Sequence, residues 1–293
     1  MAGNIVGLSQ CIARKAFTDV KTRIHVNWQK AGVTAVGWLA DGIVVAPEHP
    51  VCRTRTGPKV FLNEAKQKIM DELKAQGSSE YVGSSDVLMA WWYKTVYSYR
   101  APTDHTPVHL HFVSNLRSQS VFAQDEPLAH PYTNNAILYL HVPPIPVNAF
   151  VKESLGDLAL HIRRAIVAHN ADAASLRADL HWLFEGSNAA KMMFPCPPGA
   201  EFSFATNWRD GKLGALDFSG AVVSQSKSEA AATRVVFTYF FFTPDSFLAR
   251  GSGAVMMEDE DAVWMHMFRG SKDWERIRQS GVVDRRPSVV SKL

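Results

Sequence analysis

The feature that most constrains the fold of this chain is the alternation of helix-like and strand-like segments along its length. Apolar residues recur at helical spacing over residues 62–73, and Gly77 follows as a stop signal, so a helix is predicted to end near Gln76. In the last third of the chain, strand-like runs follow one another without helices between them. This arrangement predicts an α/β fold with a mixed or largely antiparallel sheet rather than a doubly wound parallel one.

The remaining elements are predicted from periodicity and turn residues. A second helix is expected to begin at the cap candidates Ser84 or Ser85, with an apolar face that continues to residue 99. A hairpin is predicted over residues 24–36, whereas residues 46–58 contain three prolines and are predicted to be a loop. Further predicted elements are helices at 155–166 and 271–278 and strands at 109–113, 136–142, 202–207, 234–242, 254–257 and 262–268.

The polar segment 102–107 carries two prolines and is the best candidate for a linker between two halves. It predicts an N-terminal domain over residues 1–103, a C-terminal domain over 104–284 and a flexible tail over 285–293. The last three residues, Ser291, Lys292 and Leu293, match the C-terminal sequence that the peroxisomal import receptor reads. We therefore expect a peroxisomal location, with that receptor as a partner.

Composition argues against several classes of function. The formal net charge is only +3 and long runs of like charge are lacking, so neither nucleic acid nor an anionic membrane is expected as a partner. The apolar runs are too short to span a bilayer. The three cysteines are widely scattered, which argues against a disulfide framework and agrees with an intracellular compartment.

Two polar clusters could carry chemistry, but each has a simpler structural explanation. The spacing of His105, His109 and His111 could suit a metal ion. Only Asp104 lies near enough in the sequence to help complete such a site, so partly buried strand histidines are favoured and no metal is predicted. The acidic run at 258–261 lies between two apolar strands and is predicted to be a solvated hairpin turn.

Six short motifs follow one another in a fixed order along the chain. They are Asp41-Gly42, Ser84-Ser85-Asp86-Val87-Leu88-Met89-Ala90-Trp91, Ser114-Asn115-Leu116-Arg117, Tyr132-Thr133-Asn134-Asn135-Ala136, Asn207-Trp208-Arg209-Asp210 and Asp217-Phe218-Ser219-Gly220. In this order they resemble the BAHD-type acyl-CoA-dependent acyltransferases, in particular the fungal branch that includes trichothecene acetyltransferases. The resemblance covers about residues 20–280.

The resemblance implies a chloramphenicol-acetyltransferase-like fold of two related α/β domains, with the active site in a channel between them. It implies transfer of an acyl group from acyl-CoA, as co-substrate, to a hydroxyl or amine of a small secondary metabolite, without a bound cofactor. Members of the family usually have a longer portion before the first motif. We therefore expect an incomplete N-terminal domain beside a complete C-terminal one, and self-association through apolar surface exposed in this way.

The resemblance also implies roles for individual residues. Asp41 takes the place of a structural aspartate that pairs with an arginine, for which Arg117 is the candidate. The family's histidine, which removes a proton from the acceptor, would lie four residues before Asp41, where this chain has Gly37. The resemblance assigns a role in supporting the motifs to four residues, Asn115, Asp217, Phe218 and Gly220. It places two further residues, Asn207 and Trp208, in the channel or on the CoA side.

Gly37 leaves several alternatives open. The chain could be a catalytically impaired relic or a ligand-binding protein of the same fold, or it could come from a gene model that has lost an exon. A carrier-protein-dependent condensation module shares the histidine motif, but the chain has no segment like a carrier or adenylating domain. His25 could replace the missing base, although strand alternation around it favours an exposed or rim position.

Overall fold

The structure is a computed structural model, and it describes residues 50–117, 119, 121, 136–185, 201–221, 235, 251–259 and 262–279. In this part of the chain the strands are β1 (Pro50–Pro58), β2 (Pro107–Asn115), β3 (Ile137–His141), β4 (Ile145–Pro146), β5 (Glu201–Asn207), β6 (Ser252–Glu258) and β7 (Ala262–Gly270). The helices are α1 (Lys59–Ala75), α2 (Ser84–Tyr97), α3 (Val147–Lys152), α4 (Leu155–Ala171), α5 (Ala173–Phe184) and α6 (Ser271–Gln279).

The chain divides into two compact units that each combine distant segments of the sequence. Unit 1 includes the described parts of Thr106–Ile145 and Arg164–Phe202. Unit 2 includes the described parts of Glu48–His105, Pro146–Arg163 and Ser203–Leu293. The domain limits expected from the sequence, at residues 103 and 284, stay predictions.

Unit 2 is built on a mixed sheet in which the strand order is β1-β7-β6-β5. β7 pairs antiparallel with both β1 and β6, whereas β5 and β6 are parallel. The register shifts by one residue between Val255 and Met257, so β6 carries an irregularity of the β-bulge type. The mixed α/β class predicted from the sequence is confirmed.

Helix α2 lies in the core of unit 2 and contacts α1, α3 and α6. Trp92 packs against Trp274 of α6 with ring centroids 5.8 Å apart, and Tyr97 stacks on Phe150 of α3 at 5.0 Å. The predicted helix is confirmed, but it buries more than the one face expected from its apolar spacing. Further residues of α2 with no more than trace exposure are Val87, Leu88, Ala90, Tyr93 and Val96.

Unit 1 contains the antiparallel pair β2 and β3, in register from His111 opposite His141 to Asn115 opposite Ile137. Helix α5 contributes apolar side chains to the same small core. The buried members of this core are Leu116, Val121, Leu138, Leu176 and Leu180. Within the described residues, none of the helices is both long and apolar enough to cross a membrane.

The loop predicted over residues 46–58 is wrong for its described part, because Pro50–Pro58 forms strand β1 and pairs with β7. Pro50 and Pro58 occupy the two ends of the strand, which are positions where proline is tolerated because the ladder does not depend on its missing N–H. The sequence between them contains β-branched residues, which favour extended backbone. Pro50 and Pro58 therefore mark the limits of a strand rather than an irregular loop.

Several sequence predictions concern residues outside the described part of the chain. These are the hairpin at 24–36, most of the strand at 234–242, Gly37, Asp41, His25, the first four residues of the Tyr132 motif, and the terminal Ser291, Lys292 and Leu293.

Candidate functional site

The first turn of α2 is fixed by a buried carboxylate. Asp86 is only 1% exposed, and its Oδ2 accepts hydrogen bonds from the main-chain N–H of Gly83 at 2.6 Å and from Nε of Arg163 at 2.6 Å. The helix begins at Ser84 with Gly83 as its N-cap residue, so the prediction that Ser84 or Ser85 caps it is wrong. Because Asp86 takes the Gly83 N–H, the two serine hydroxyls are left for contacts with other segments.

The Asp86–Arg163 pair is held in a confined space. Burial raises the pKa of Asp86, whereas the Gly83 N–H and the Arg163 guanidinium act to lower it. Arg163 also lies over the ring of Tyr81, 4.9 Å from its centroid, in the geometry of a cation–π contact. A Cβ atom at position 83 would overlap Nη2 of Arg163, so a larger residue there would require the guanidinium to shift.

The serines at the start of α2 meet the segment that ends β5. Asn207 Nδ2 donates to Ser85 Oγ at 2.9 Å, although the two residues are 122 positions apart. Arg209 Nη2 donates to Ser85 Oγ at 2.5 Å and lies 3.4 Å from Ser84 Oγ. Two of the six motifs recognised in the sequence therefore come together within unit 2.

The guanidinium of Arg209 is held on its other sides as well. Its Nε lies 3.4 Å from Asn207 Oδ1, and its Nη1 donates to Glu258 Oε2 at 3.1 Å. Glu258 Oε1 lies 3.7 Å from Lys59 Nζ. The Arg209 side chain is 10% exposed and that of Glu258 is 41% exposed, so the group lies at the surface of unit 2. We call Ser84, Ser85, Asn207, Arg209 and Glu258 the serine–arginine cluster.

Trp208 lies between two members of this cluster in the sequence. Its main-chain N–H donates to the carbonyl of Val255 in β6 at 2.8 Å, and its indole N–H donates to Thr206 Oγ1 at 3.1 Å. The side chain remains 40% exposed. Asn207 and Trp208 were both predicted to face the channel or CoA, and the structure places Asn207 inside the cluster and Trp208 directly beside it in the chain.

The segment from Asp217 to Gly220 forms a local turn. Asp217 Oδ1 accepts the main-chain N–H of Ser219 at 2.9 Å, and Oδ2 accepts the Ser219 hydroxyl at 3.0 Å. The side chain of Phe218 is exposed, and the space around Gly220 would admit a Cβ without any contact inside 4 Å. The supporting role expected for Asp217, Phe218 and Gly220 stays a prediction.

Asn115 and Arg117 lie in unit 1 and contact each other. Asn115 Oδ1 accepts hydrogen bonds from the main-chain N–H and from Nη1 of Arg117, each at 3.1 Å. The expected partner of Arg117 is Asp41, which lies outside the described residues together with Gly37. The pairing of Arg117 with Asp41 therefore stays a prediction.

Comparison with known proteins agrees with the motifs. No protein-family model matches the sequence. The O-acyltransferase pboC of Aspergillus ustus is 24% identical over 233 residues, which cover 75% of this chain and 47% of pboC. The O-acyltransferase ausP of Aspergillus calidoustus is 24% identical over 217 residues, which cover 73% of this chain and 42% of ausP.

Among solved structures, TRI101 of F. sporotrichioides, in complex with coenzyme A and T-2, matches with a TM-score of 0.58. The sequence identity is 14%, over 80% of this chain and 50% of TRI101. The chain is similar to fungal O-acyltransferases. The predicted resemblance is thereby confirmed, and so is the predicted class of fold. The chain spans about half the length of the acyltransferases it matches.

In unit 1, β2 and β3 carry a histidine pair in which His111 is buried and His141 is half-buried. His111 and His141 lie opposite each other with their Nδ1 atoms 2.5 Å apart and their rings edge to face. Burial lowers the pKa of His111 to about 3 and that of His141 to about 4, and neighbouring His109 and His169 contribute to the lowering. The expectation of buried strand histidines is confirmed for His109 and His111.

A metal at these histidines was not expected from the sequence. Within the described residues, no group of three or more histidine, cysteine, aspartate or glutamate side chains is arranged to hold a metal ion. The close approach of two imidazoles instead suits a shared proton, in which one Nδ1–H donates to the other Nδ1.

Sequence reasoning missed three residues that contact the serine–arginine cluster or the start of α2, namely Arg163, Glu258 and Lys59. Glu258 belongs to the acidic run predicted to be a hairpin turn, and the hairpin itself is confirmed by the antiparallel pairing of β6 and β7. Asp259 Oδ1 accepts the main-chain N–H of Ala262 at 2.7 Å across this turn. The contact of Glu258 with Arg209 depends on the register of β6, which cannot be predicted from a sequence motif.

Proposed function

We propose that this chain is an acyl-CoA-dependent acyltransferase that moves an acyl group from CoA to a hydroxyl or amine of a small secondary metabolite. The observation that carries the proposal is the meeting of Ser84 and Ser85 with Asn207 and Arg209 in unit 2, because both segments belong to the acyltransferase-like motifs. Two further facts support it: relatives over most of this chain are named O-acyltransferases, and TRI101, which shares the fold, was crystallised with coenzyme A.

The chemistry of the serine–arginine cluster suits the CoA part of the substrate. CoA presents phosphate and amide oxygens, which are acceptors for hydroxyl and guanidinium donors. The cluster supplies the hydroxyls of Ser84 and Ser85 and the cationic side chain of Arg209 at a partly exposed position. Trp208 adds an exposed aromatic ring beside them. We therefore assign Asn207 and Trp208 to the CoA side.

In the proposed reaction, the acceptor oxygen or nitrogen attacks the thioester carbonyl carbon of acyl-CoA. The new C–O or C–N bond forms, the C–S bond breaks, a base takes the acceptor proton, and the CoA thiolate leaves and is protonated. Gly37 has no side chain that can take a proton. Transfer by this chain therefore requires a base at another position, for which the sequence offers His25.

Gly37 also favours a second candidate function, that of a binding protein with the acyltransferase fold. Such a protein would retain CoA at the serine–arginine cluster without transferring the acyl group. Incubation with acetyl-CoA and a panel of alcohols and amines, followed by mass spectrometry of the products, separates the two functions. Acylated product that disappears in His25→Gln supports the enzyme with His25 as its base.

Loss of the Arg209 guanidinium should weaken acyl-CoA binding. We expect Arg209→Ala to lower the affinity for acetyl-CoA by about tenfold or more, since a charge-assisted hydrogen bond contributes roughly 1.5–3 kcal/mol. Arg209→Lys should restore little, because lysine lacks the planar fork. Isothermal titration calorimetry measures both, with the exposed Arg278→Ala as the matched control. Wild-type protein that binds no acyl-CoA would overturn the proposed function.

We further propose a peroxisomal location through the terminal Ser291, Lys292 and Leu293, with the peroxisomal import receptor as partner. The proposal is supported by the proposed reaction, because peroxisomes are a compartment in which acyl-CoA is metabolised. A fluorescent protein fused to the N-terminus should colocalise with a peroxisomal marker and become diffuse when the three residues are deleted. A diffuse signal from the intact fusion would contradict the location.

Self-association is proposed from exposed aromatic side chains, including Tyr81, Phe184 and Phe218. Light scattering across a range of protein concentrations should give a mass above the 32.5 kDa of one chain. A monodisperse monomer throughout that range would contradict it.

A further inference from the structure

The Ser85 hydroxyl already has both of its acceptor positions filled. Its Oγ accepts one hydrogen bond from Asn207 Nδ2 at 2.9 Å and another from Arg209 Nη2 at 2.5 Å. A serine hydroxyl offers two acceptor lone pairs and one O–H donor. With both lone pairs engaged, the O–H is left to donate, and no acceptor for it lies among the described residues.

Glu258 binds one nitrogen of the Arg209 guanidinium while another faces Ser85. The guanidinium presents its N–H groups in a fixed planar fork, so a partner at one nitrogen restricts where the others point. Nη1 donates to Glu258 Oε2 at 3.1 Å, and Nη2 is thereby directed at the serines. Lys59 Nζ donates to the carbonyl of Asp259 at 3.1 Å and lies 3.7 Å from Glu258 Oε1, so it adds a positive charge near the carboxylate.

We propose that Glu258 is a positioning residue that, acting through Arg209, makes the Ser85 hydroxyl a dedicated hydrogen-bond donor to an acceptor oxygen of acyl-CoA. This inference rests on the proposed function, since it concerns the ligand of the same cluster. A phosphate or amide carbonyl oxygen fits Ser85, because it carries no hydrogen and needs a donor. Glu258 lies outside all six motifs that carry the acyltransferase resemblance.

A double-mutant cycle in the full chain tests this role. Acetyl-CoA is titrated calorimetrically into wild type, Ser85→Ala, Glu258→Ala and the double variant. Ser85→Ala should bind about five- to tenfold more weakly, the range expected for one lost hydrogen bond. Glu258→Ala should bind about three- to fivefold more weakly, and the double variant should stay within twofold of Ser85→Ala, because Glu258 acts through Ser85.

Two further variants separate positioning from a general structural effect. Glu258→Gln keeps an oxygen that can accept from Arg209 Nη1, so it should bind acetyl-CoA within twofold of wild type. Glu64→Gln removes a negative charge at an exposed position that is not part of the cluster, so this variant should bind acetyl-CoA like wild type. Circular dichroism should show that all variants are folded.

Titration with a second ligand shows whether Ser85 donates to a phosphate oxygen or to an amide carbonyl oxygen of CoA. Acetyl-pantetheine has the amide carbonyls of CoA but none of its phosphates. If Ser85→Ala weakens acetyl-CoA binding but leaves acetyl-pantetheine binding unchanged, Ser85 donates to a phosphate; if it weakens both, Ser85 donates to a carbonyl. Either result supports Ser85 as the donor.

Four results would overturn the proposal. Tighter binding by Glu258→Ala would mean that the carboxylate competes with the ligand for Arg209. Independent, multiplying losses in the double variant would mean that Glu258 does not act through Ser85. Glu258→Ala that binds like wild type would contradict this inference alone, whereas wild type that binds no acyl-CoA would contradict the proposed function as well.

Discussion

Asp86 and Arg163 show how one buried ion pair can organise the start of a helix. The Asp86 side chain is 1% exposed and that of Arg163 is 19% exposed, so removal of either partner would leave the other charge without compensation in a largely dry place. Such losses cost about 3–5 kcal/mol, compared with about 0–1 kcal/mol for exposed pairs. The same carboxylate also takes the Gly83 N–H, which couples the ion pair to the placement of Ser84 and Ser85.

Replacement of Arg163 should therefore be costly. We expect Arg163→Met to lower the free energy of unfolding by about 3 kcal/mol, because Asp86 would be left as an unpaired buried charge. Asp86→Asn in the same chain should recover part of this loss, since it removes that charge. Urea denaturation followed by circular dichroism measures both.

The exposed pair of Lys68 and Glu72 provides the control for this experiment. Their side chains are 78% and 55% exposed, so Lys68→Met should change the free energy of unfolding by less than about 0.5 kcal/mol. Equal effects of Arg163→Met and Lys68→Met would contradict the importance assigned to the buried pair.

At the scale of elements, the sequence predicts a helix or strand correctly where its apolar pattern extends over several residues and turn or cap residues mark its ends. Helices α1, α2, α4 and α6 and strands β2, β3, β5, β6 and β7 all lie where they are predicted. Helix α5 was missed because only Asp172 separates it from α4, without a glycine or proline to mark the break. Strand β1 is not predicted from the sequence, because proline usually argues against a strand and here it occupies both ends of one.

The close packing of β6 against β7 predicts a penalty at Gly253. A Cβ atom there would overlap Met267 Sδ and lie 2.9 Å from the main-chain oxygen of His266. Gly253→Ala should lower the free energy of unfolding by about 1–3 kcal/mol, the usual cost of overpacking. Gly220→Ala, which meets nothing within 4 Å, is the control and should change it by less than about 0.5 kcal/mol. Equal urea midpoints for the two variants would contradict this account.

At the scale of the whole molecule, the candidate site could be predicted only in part. The motifs single out Asn207, Trp208 and the two serines, because short local patterns can be recognised in one sequence without knowledge of the fold. Arg163 and Glu258 could not be found in this way, because their contacts depend on helix packing and strand register between distant segments. The fold class was accessible because it depends on the order of elements rather than on any one contact.

The histidine pair of unit 1 gives the molecule a predicted sensitivity to acid. The pKa values of His111 and His141, about 3 and about 4, lie below the ordinary value of 6.5 expected in the unfolded chain. The unfolded state therefore binds protons more readily than the folded state. The stability that the neutral pair contributes is complete above pH 6.5 and is lost as the pH falls towards 4 and then 3.

Lowering the pH from 7.5 to 5.0 should decrease the free energy of unfolding by up to about 2 kcal/mol for each of the two histidines, since one unit of pKa corresponds to about 1.4 kcal/mol. His141→Gln should remove about half of this pH dependence. His105→Gln, at an exposed position, should leave it unchanged. Urea denaturation at several pH values measures the effect, and an identical slope for wild type and His141→Gln would contradict it.

The register shift in β6 has a consequence for how this chain could change through evolution. Val255 pairs with Met265, but Met257 pairs with Trp264, so Met256 is the extra residue of the strand. Residues paired across antiparallel strands lie on the same face of the sheet, so loss of Met256 would leave Glu258 opposite Val263 and on its present face. A deletion of three nucleotides at Met256 would thus remove the irregularity from the strand and leave Glu258 in reach of Arg209. Among true relatives, the length of this strand should therefore vary by one residue at Met256, while the pairing of Glu258 is kept.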